Sequence, residues 1–140
     1  MISEYPNATG STGRGTRAVK YLVPEFIAQE DGVGPVIDVG TDRGKLLVLT
    51  LAITCATERA TLIVYVSGST DKTNKLLVSF TRKEQLGVYS ILLNLAKYPE
   101  VQYIRVAWKL SRWKRGDPSP VFGFSVTAEE SGSRISVSAA

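Results

Sequence analysis

Lys45-Leu-Leu-Val-Leu-Thr-Leu-Ala-Ile-Thr-Cys55 decides the fold class. Leu47, Leu49, Leu51, Ile53 and Cys55 recur at every second position, while Val48, Thr50, Ala52 and Thr54 fill the alternate ones. Successive side chains of a strand point to opposite faces. A period of two therefore predicts a strand with its first set in the core and its second set half-exposed. Cys55 closes the inward set and reads as a core residue, since a free thiol packs as a small hydrophobe. It is the only cysteine of the 140 residues, so no internal disulfide can form. That implies folding in a reducing cytoplasm, or at least without reliance on oxidation.

The same period extends in both directions. Ala60–Ser67 carries the β-branched residues Thr61, Ile63, Val64 and Val66. Lys75–Lys83 sets Leu76, Val78 and Phe80 on one side, and Val88–Leu95 aligns Tyr89, Ile91, Leu93 and Leu95. A helix over Glu84–Ala96 competes with the latter strand, but Gly87 would weaken it. Gln102–Leu110 points Ile104, Val106, Trp108 and Leu110 inward, against Tyr103, Arg105, Ala107 and Lys109 outward. Val121–Ala128 buries Phe122, Phe124 and Val126. Upstream, Tyr21–Ile27 contains Pro24, which cannot donate to a ladder and so marks an edge strand. Val36–Val39 is a short strand. Turns fall at Asp31–Gly34, Asp42–Gly44, Gly68–Asn74 and Ala96–Pro99, and a loop covers 112–120. Seven or eight strands at spacings of about 10 residues, with no convincing helix, predict an all-β fold. An antiparallel β-sandwich or jelly roll fits best.

The flanks contrast with this middle. Residues 1–20, rich in Gly, Ser and Thr, cannot bury a core of their own. The predicted organisation is an extended N-terminal arm over 1–20, a sandwich over 21–130 and a small polar tail over 131–140. Ile135 and Val137 of the tail are available for a short strand. An arm of this composition takes a definite shape only against a foreign surface. Glu4 and Pro6 stand where a signal peptide would need basic and apolar residues. The longest apolar run falls short of the ~20 residues of a membrane helix, so a soluble chain without membrane contact is expected.

Composition narrows the chemistry. Seventeen Lys and Arg against thirteen Asp and Glu give a net charge of +4. That suits an acidic partner surface and is weak support for nucleic acid. The chain has no histidine. The commonest general base, the usual nucleophile–histidine arrangements and most zinc sites are thereby removed. Asp38, Asp42, Asp71, Glu84, Glu100, Asp117, Glu129 and Glu130 are the carboxylates available for an acid–base pair, and most fall in turns or termini. Gly10–Thr16 lacks the Lys-Ser/Thr pair and the preceding strand of a phosphate loop. Asp71 beside Lys72 is too poor in oxygen ligands for calcium. Arg115-Gly-Asp117 matches a cell-attachment tripeptide but is explained by turn chemistry. A non-enzymatic chain without cofactor or metal is expected.

Arg105, Lys109, Arg112, Lys114 and Arg115 lie within eleven residues, interleaved with Trp108 and Trp113. Alternation sends Trp108 inward and leaves Trp113 free. Tryptophan and arginine are favoured interface anchors, so the loop Arg112, Trp113, Lys114 and Arg115 is a partner-binding candidate. Plain packing of a solvated loop is the bland reading beside it, and stacking of single-stranded nucleic acid is a weaker functional one. An aromatic platform of Trp113, Tyr65 and Tyr103 is a third, for carbohydrate.

Gly68-Ser-Thr-Asp71, Ser79-Phe80, Gly87-Val-Tyr89, Asn94-Leu95, Tyr103-Ile-Arg105, Ala107-Trp108, Arg112-Trp-x-Arg-Gly116 and Pro120-x-Phe122 resemble a group of small β-rich proteins of bacterial and phage genomes. The resemblance covers residues 36–130. Glycine is common in that group where Lys72 and Lys114 stand here. The overall layout is also similar to the cement or decoration proteins of tailed-phage capsids, a sandwich with an extended arm, often set as trimers over joints of the shell. That likeness implies a virion protein on the outer capsid, bound to the major capsid protein, with a tail or baseplate component as the neighbouring role. Ile2, Tyr5 and Pro6 would then be apolar anchors of the arm, and Arg14, Arg17 and Lys20 its pairs for acidic capsid groups.

Overall fold

A computed structural model describes residues 19–42, 44–69 and 74–130. Nine strands form two antiparallel sheets: β1 (Val19–Ala28), β2 (Gly32–Val33), β3 (Ile37–Asp38), β4 (Leu46–Ala56), β5 (Ala60–Ser69), β6 (Asn74–Ser79), β7 (Gly87–Asn94), β8 (Tyr103–Arg112) and β9 (Phe122–Glu130). Sheet A has the order β1-β9-β4-β7, and sheet B the order β2-β8-β5-β6 with β3 also on β8. The result is a β-sandwich, as the alternation predicts. Sheet changes occur at every connection except β2 to β3 and β5 to β6. Single 3-10 turns at Gly40–Asp42 and Leu95–Lys97 stand where turns are expected.

The decisive stretch behaves as read for most of its length. Leu47, Leu49, Leu51 and Ile53 are buried in β4, which is the central strand paired to both β7 and β9. Against them lie Leu62, Val64 and Val66 of β5, and Ile104, Val106 and Trp108 of β8. Each such side chain contributes about 1.5–3 kcal/mol when fully withdrawn from water. The segment competing for a helix is the strand β7, with Leu93 buried and Tyr89 and Ile91 packed against the core. Pro24 sits in β1, an edge strand, within the second of two register shifts against β9, the one between Val23 and Phe26.

Trp108 points inward, as expected. Its ring meets Phe26 at 5.1 Å and Phe124 at 5.5 Å between centroids. Its Nε1–H donates to the Glu30 carbonyl at 3.2 Å. Gly32 lies flat against the indole; a Cβ there would stand 2.8 Å from Cζ2. The expected turn Asp31–Gly34 thus contains β2, a two-residue strand laid over this ring.

Four expectations need correction. Cys55 is exposed. The β4–β9 register slips between Ile53 and Cys55, and a slip of one residue sends every later side chain to the other face. In β6 the inward residue is Leu77, while Leu76 is 61% exposed. A register shift between Val66 and Ser67 makes Leu77 the extra residue, although Phe80 is buried as read. Gly68, assigned to a turn, lies inside β5, and a Cβ there would stand 2.8 Å from Leu77 and 2.9 Å from Val101. Lys20, placed in the arm, belongs to β1 opposite Ala128. The tail strand at Ile135 and Val137, the segment Gly10–Thr16 and Asp71 lie outside the described residues.

Candidate functional site

Of the arm residues, Ile2, Tyr5, Pro6, Arg14 and Arg17 lie outside the described residues. Lys20 is committed within the sandwich. Its Nζ donates to Asp42 Oδ2 at 2.6 Å, and Asp42 is buried in the 3-10 turn that leads into β4. Lys45 reaches Glu130 at 3.4 Å near the same end.

The loop after β8 is organised by Asp117, which is 7% exposed. Its Oδ2 accepts from the Lys114 amide at 3.0 Å, and its Oδ1 lies 3.4 Å from Arg59 Nη1. Arg59 occupies the left-handed region at φ 58° and accepts the Trp113 amide on its carbonyl. Arg112 turns back on the loop, donating to the carbonyls of Asp117 and Arg115. All four residues of the predicted quartet are exposed, but Arg112 is tied to the loop's own carbonyls, which leaves Trp113, Lys114 and Arg115 to face a partner. Both carboxylate oxygens of Asp117 are occupied, so the Arg-Gly-Asp triplet does not present its acid.

The sugar platform divides. Tyr65 and Tyr103 line one groove on the outer face of sheet B, with a volume of about 230 Å³. Trp113 lies ten residues along from Tyr103, roughly 30 Å away at ~3.3 Å per residue. The groove follows from strand pairing. Ser69 faces Tyr103, Ser67 faces Arg105 and Tyr65 faces Ala107, all on one surface. Arg105 is fixed by its Nε, which donates to the Gly34 carbonyl at 3.0 Å. Sequence alone named the two tyrosines but did not join Arg105 to them.

Sheet A presents a different surface. Pairing aligns three outward rows: Val19, Glu129, Val48 and Leu92; Tyr21, Thr127, Thr50 and Ser90; and Ser125, Ala52 and Val88. Glu129 is the single charged side chain in these rows. Val19, Tyr21, Val88 and Leu92 are each more than half exposed. Thr50 and Ser90 satisfy one another at 3.2 Å. Beside this face runs β7, an edge of sheet A that no other described strand pairs. The other edges carry the usual guards: β1 has Pro24, Lys20 and Glu25, and β6 is short and holds Lys75. Gly87–Asn94 contains neither a charge nor a proline. Solitary proteins rarely leave such an edge open.

Titration anomalies lie elsewhere. Lys83 sits over the Tyr89 ring at 3.8 Å, and burial pushes its ammonium below the ordinary lysine value. Glu100 is held below the usual carboxylate range by its own backbone amide first and by Lys75 at 3.1 Å second. The two are not grouped with other titratable side chains into a reactive cluster. Among the described residues no three His, Cys, Asp or Glu side chains assemble as a metal site, and no helix is long and apolar enough to cross a membrane. No protein-family model matches the chain, and no curated protein matches it.

Proposed function

We propose that this chain is a non-enzymatic structural protein of a phage particle that fastens a shell from outside by binding across major capsid subunits. The observation that carries the docking is the unguarded β7 edge beside three outward rows whose one charged side chain is Glu129. Interface cores are depleted of charged residues, and open strand edges accept strands of other chains. The occupant of this surface is a neighbouring subunit of the same particle. Residues 1–18 precede Val19, which lies in a row of that face, and they bring Arg14 and Arg17 toward acidic groups of the shell. The kind of particle rests on the resemblance to tailed-phage cement proteins. So do the trimeric state and the outer-capsid location. We read the alternating strand path, β1-β9-β4-β7 over β2-β8-β5-β6, as a jelly roll.

Weak single contacts suffice on a symmetric shell, because many copies act together. The test is composition of particles. Virions purified from cells that encode the chain should contain it at fixed high copy. Deletion of residues 1–18, or the pair Val88→Lys and Leu92→Lys, should release it while thermal melts stay unchanged. Absence of the intact chain from purified virions rejects the reading.

A further inference from the structure

From the groove on sheet B we infer that this protein holds an acidic saccharide, a pyranose ring bearing a carboxylate. This site stands on residues of the opposite sheet, so it survives or fails independently of the docking surface. Tyr103 is 38% exposed at one end of the groove and Tyr65 lies two rows away. Ser67, Ser69 and Asn74 supply hydroxyl and amide groups between and beside them. None of these polar side chains makes a hydrogen bond to another described residue. A pyranose needs this pairing of surfaces, because its C–H face is apolar and packs on a ring while its edge is hydroxylated.

The charge of the ligand follows from Arg105. Its Nε is used on Gly34, which holds the guanidinium plane in place, and its two Nη groups have no partner among the described residues. Among the described residues no carboxylate lines the groove. Asp38 stands opposite Tyr103 but turns its Oδ1 to the Gly40 amide at 2.7 Å. A fixed, unneutralised guanidinium fork matches a carboxylate in a bidentate pair. The volume of about 230 Å³ is below the ~300–1,000 Å³ of drug-sized sites, which limits the ligand to a single ring or the end of a chain.

The experiment is an NMR titration of the full-length, ¹⁵N-labelled protein. The probes are the methyl glycosides of glucuronic and galacturonic acid, set against those of glucose and galactose, and inorganic phosphate. At least one uronide should give saturable shifts confined to Tyr65, Ser67, Ser69, Asn74, Tyr103 and Arg105. Its neutral counterpart should bind about tenfold or more weakly, the loss expected for one bidentate ion pair. Arg105→Gln should bring the uronide down to the neutral level, and Tyr103→Ala should weaken both. Ser67→Val changes the floor without touching the bond to Gly34, and should also weaken the uronide. The inference is overturned by equal affinity for acid and neutral sugar. It is equally overturned by phosphate shifting the same residues as strongly as the uronide, or by no saturable shift with either uronide.

Discussion

Replacing Trp108 by leucine and Gly32 by alanine, singly and together, tests how the sandwich is closed. Trp108→Leu removes the indole from a site 7% exposed, together with its tilted contact to Phe26, its edge contact to Phe124 and the bond to Glu30. Large-to-small changes of a buried aromatic cost about 3–5 kcal/mol, so ~3–4 kcal/mol is expected with leucine filling part of the space. Gly32→Ala places a methyl 2.8–3.0 Å from Cζ2, Cε2 and Nε1 of the ring. Overpacking of this kind costs about 1–3 kcal/mol. The atoms struck by the new methyl are the ones leucine lacks. The double variant should therefore lose ~1–2 kcal/mol less than the sum of the single losses, within the usual range for touching residues. Urea unfolding followed by tryptophan fluorescence of Trp113 and by far-UV dichroism gives the three free energies. Additivity within about 0.5 kcal/mol would refute the claim that β2 is clamped onto this ring.

Cys55 should react with a thiol reagent in the folded protein nearly as fast as in urea, since it is exposed; protection by orders of magnitude would return it to the core. Asp117→Ala should destabilise the chain by about 2 kcal/mol, the worth of a charge-assisted hydrogen bond, and should raise the mobility of the 112–117 amides seen by NMR. Glu100 should titrate below the ordinary carboxylate range, so the small stability it contributes is present at neutral pH and lost as pH falls through that lowered value. Lys75→Ala should move the midpoint only part of the way back, because the stronger cause is the residue's own amide.

The elements that were legible from sequence are those where one period holds without interruption. β7, β8 and β9 each keep one inward set at every second position, and so does β4 up to Ile53, although the small residues Ser90, Ala107 and Gly123 between them are covered as well. Errors appear where two strands exchange register. Cys55 and Leu76 both follow or flank a slip that depends on the partner strand, at Gly123 and at Ser67 respectively, and no local pattern records it. β2 is too short to carry a period and exists because Gly32 fits a tryptophan more than seventy positions away in the chain. The candidate sites divide the same way. Tyr65, Tyr103 and the basic loop are visible as residue types. That Arg105 joins the tyrosines, that Trp113 stands apart from them, and that Asp117 consumes Arg112 all follow from pairing β8 with β5 and closing the loop beyond them.

Particle binding by the full-length chain carrying Val88→Lys and Leu92→Lys is the direct test of the docking surface. These side chains are 52% and 55% exposed, so the folded monomer should melt within a degree or two of the unaltered protein. Covering the remaining half of each would contribute about 1 kcal/mol apiece, and burying two lysines in rows that are apolar or neutral but for Glu129 adds a desolvation penalty. Occupancy on purified virions should fall at least a hundredfold, measured by quantitative mass spectrometry against the major shell protein. Undiminished occupancy with both lysines in place would contradict docking through sheet A and its β7 edge.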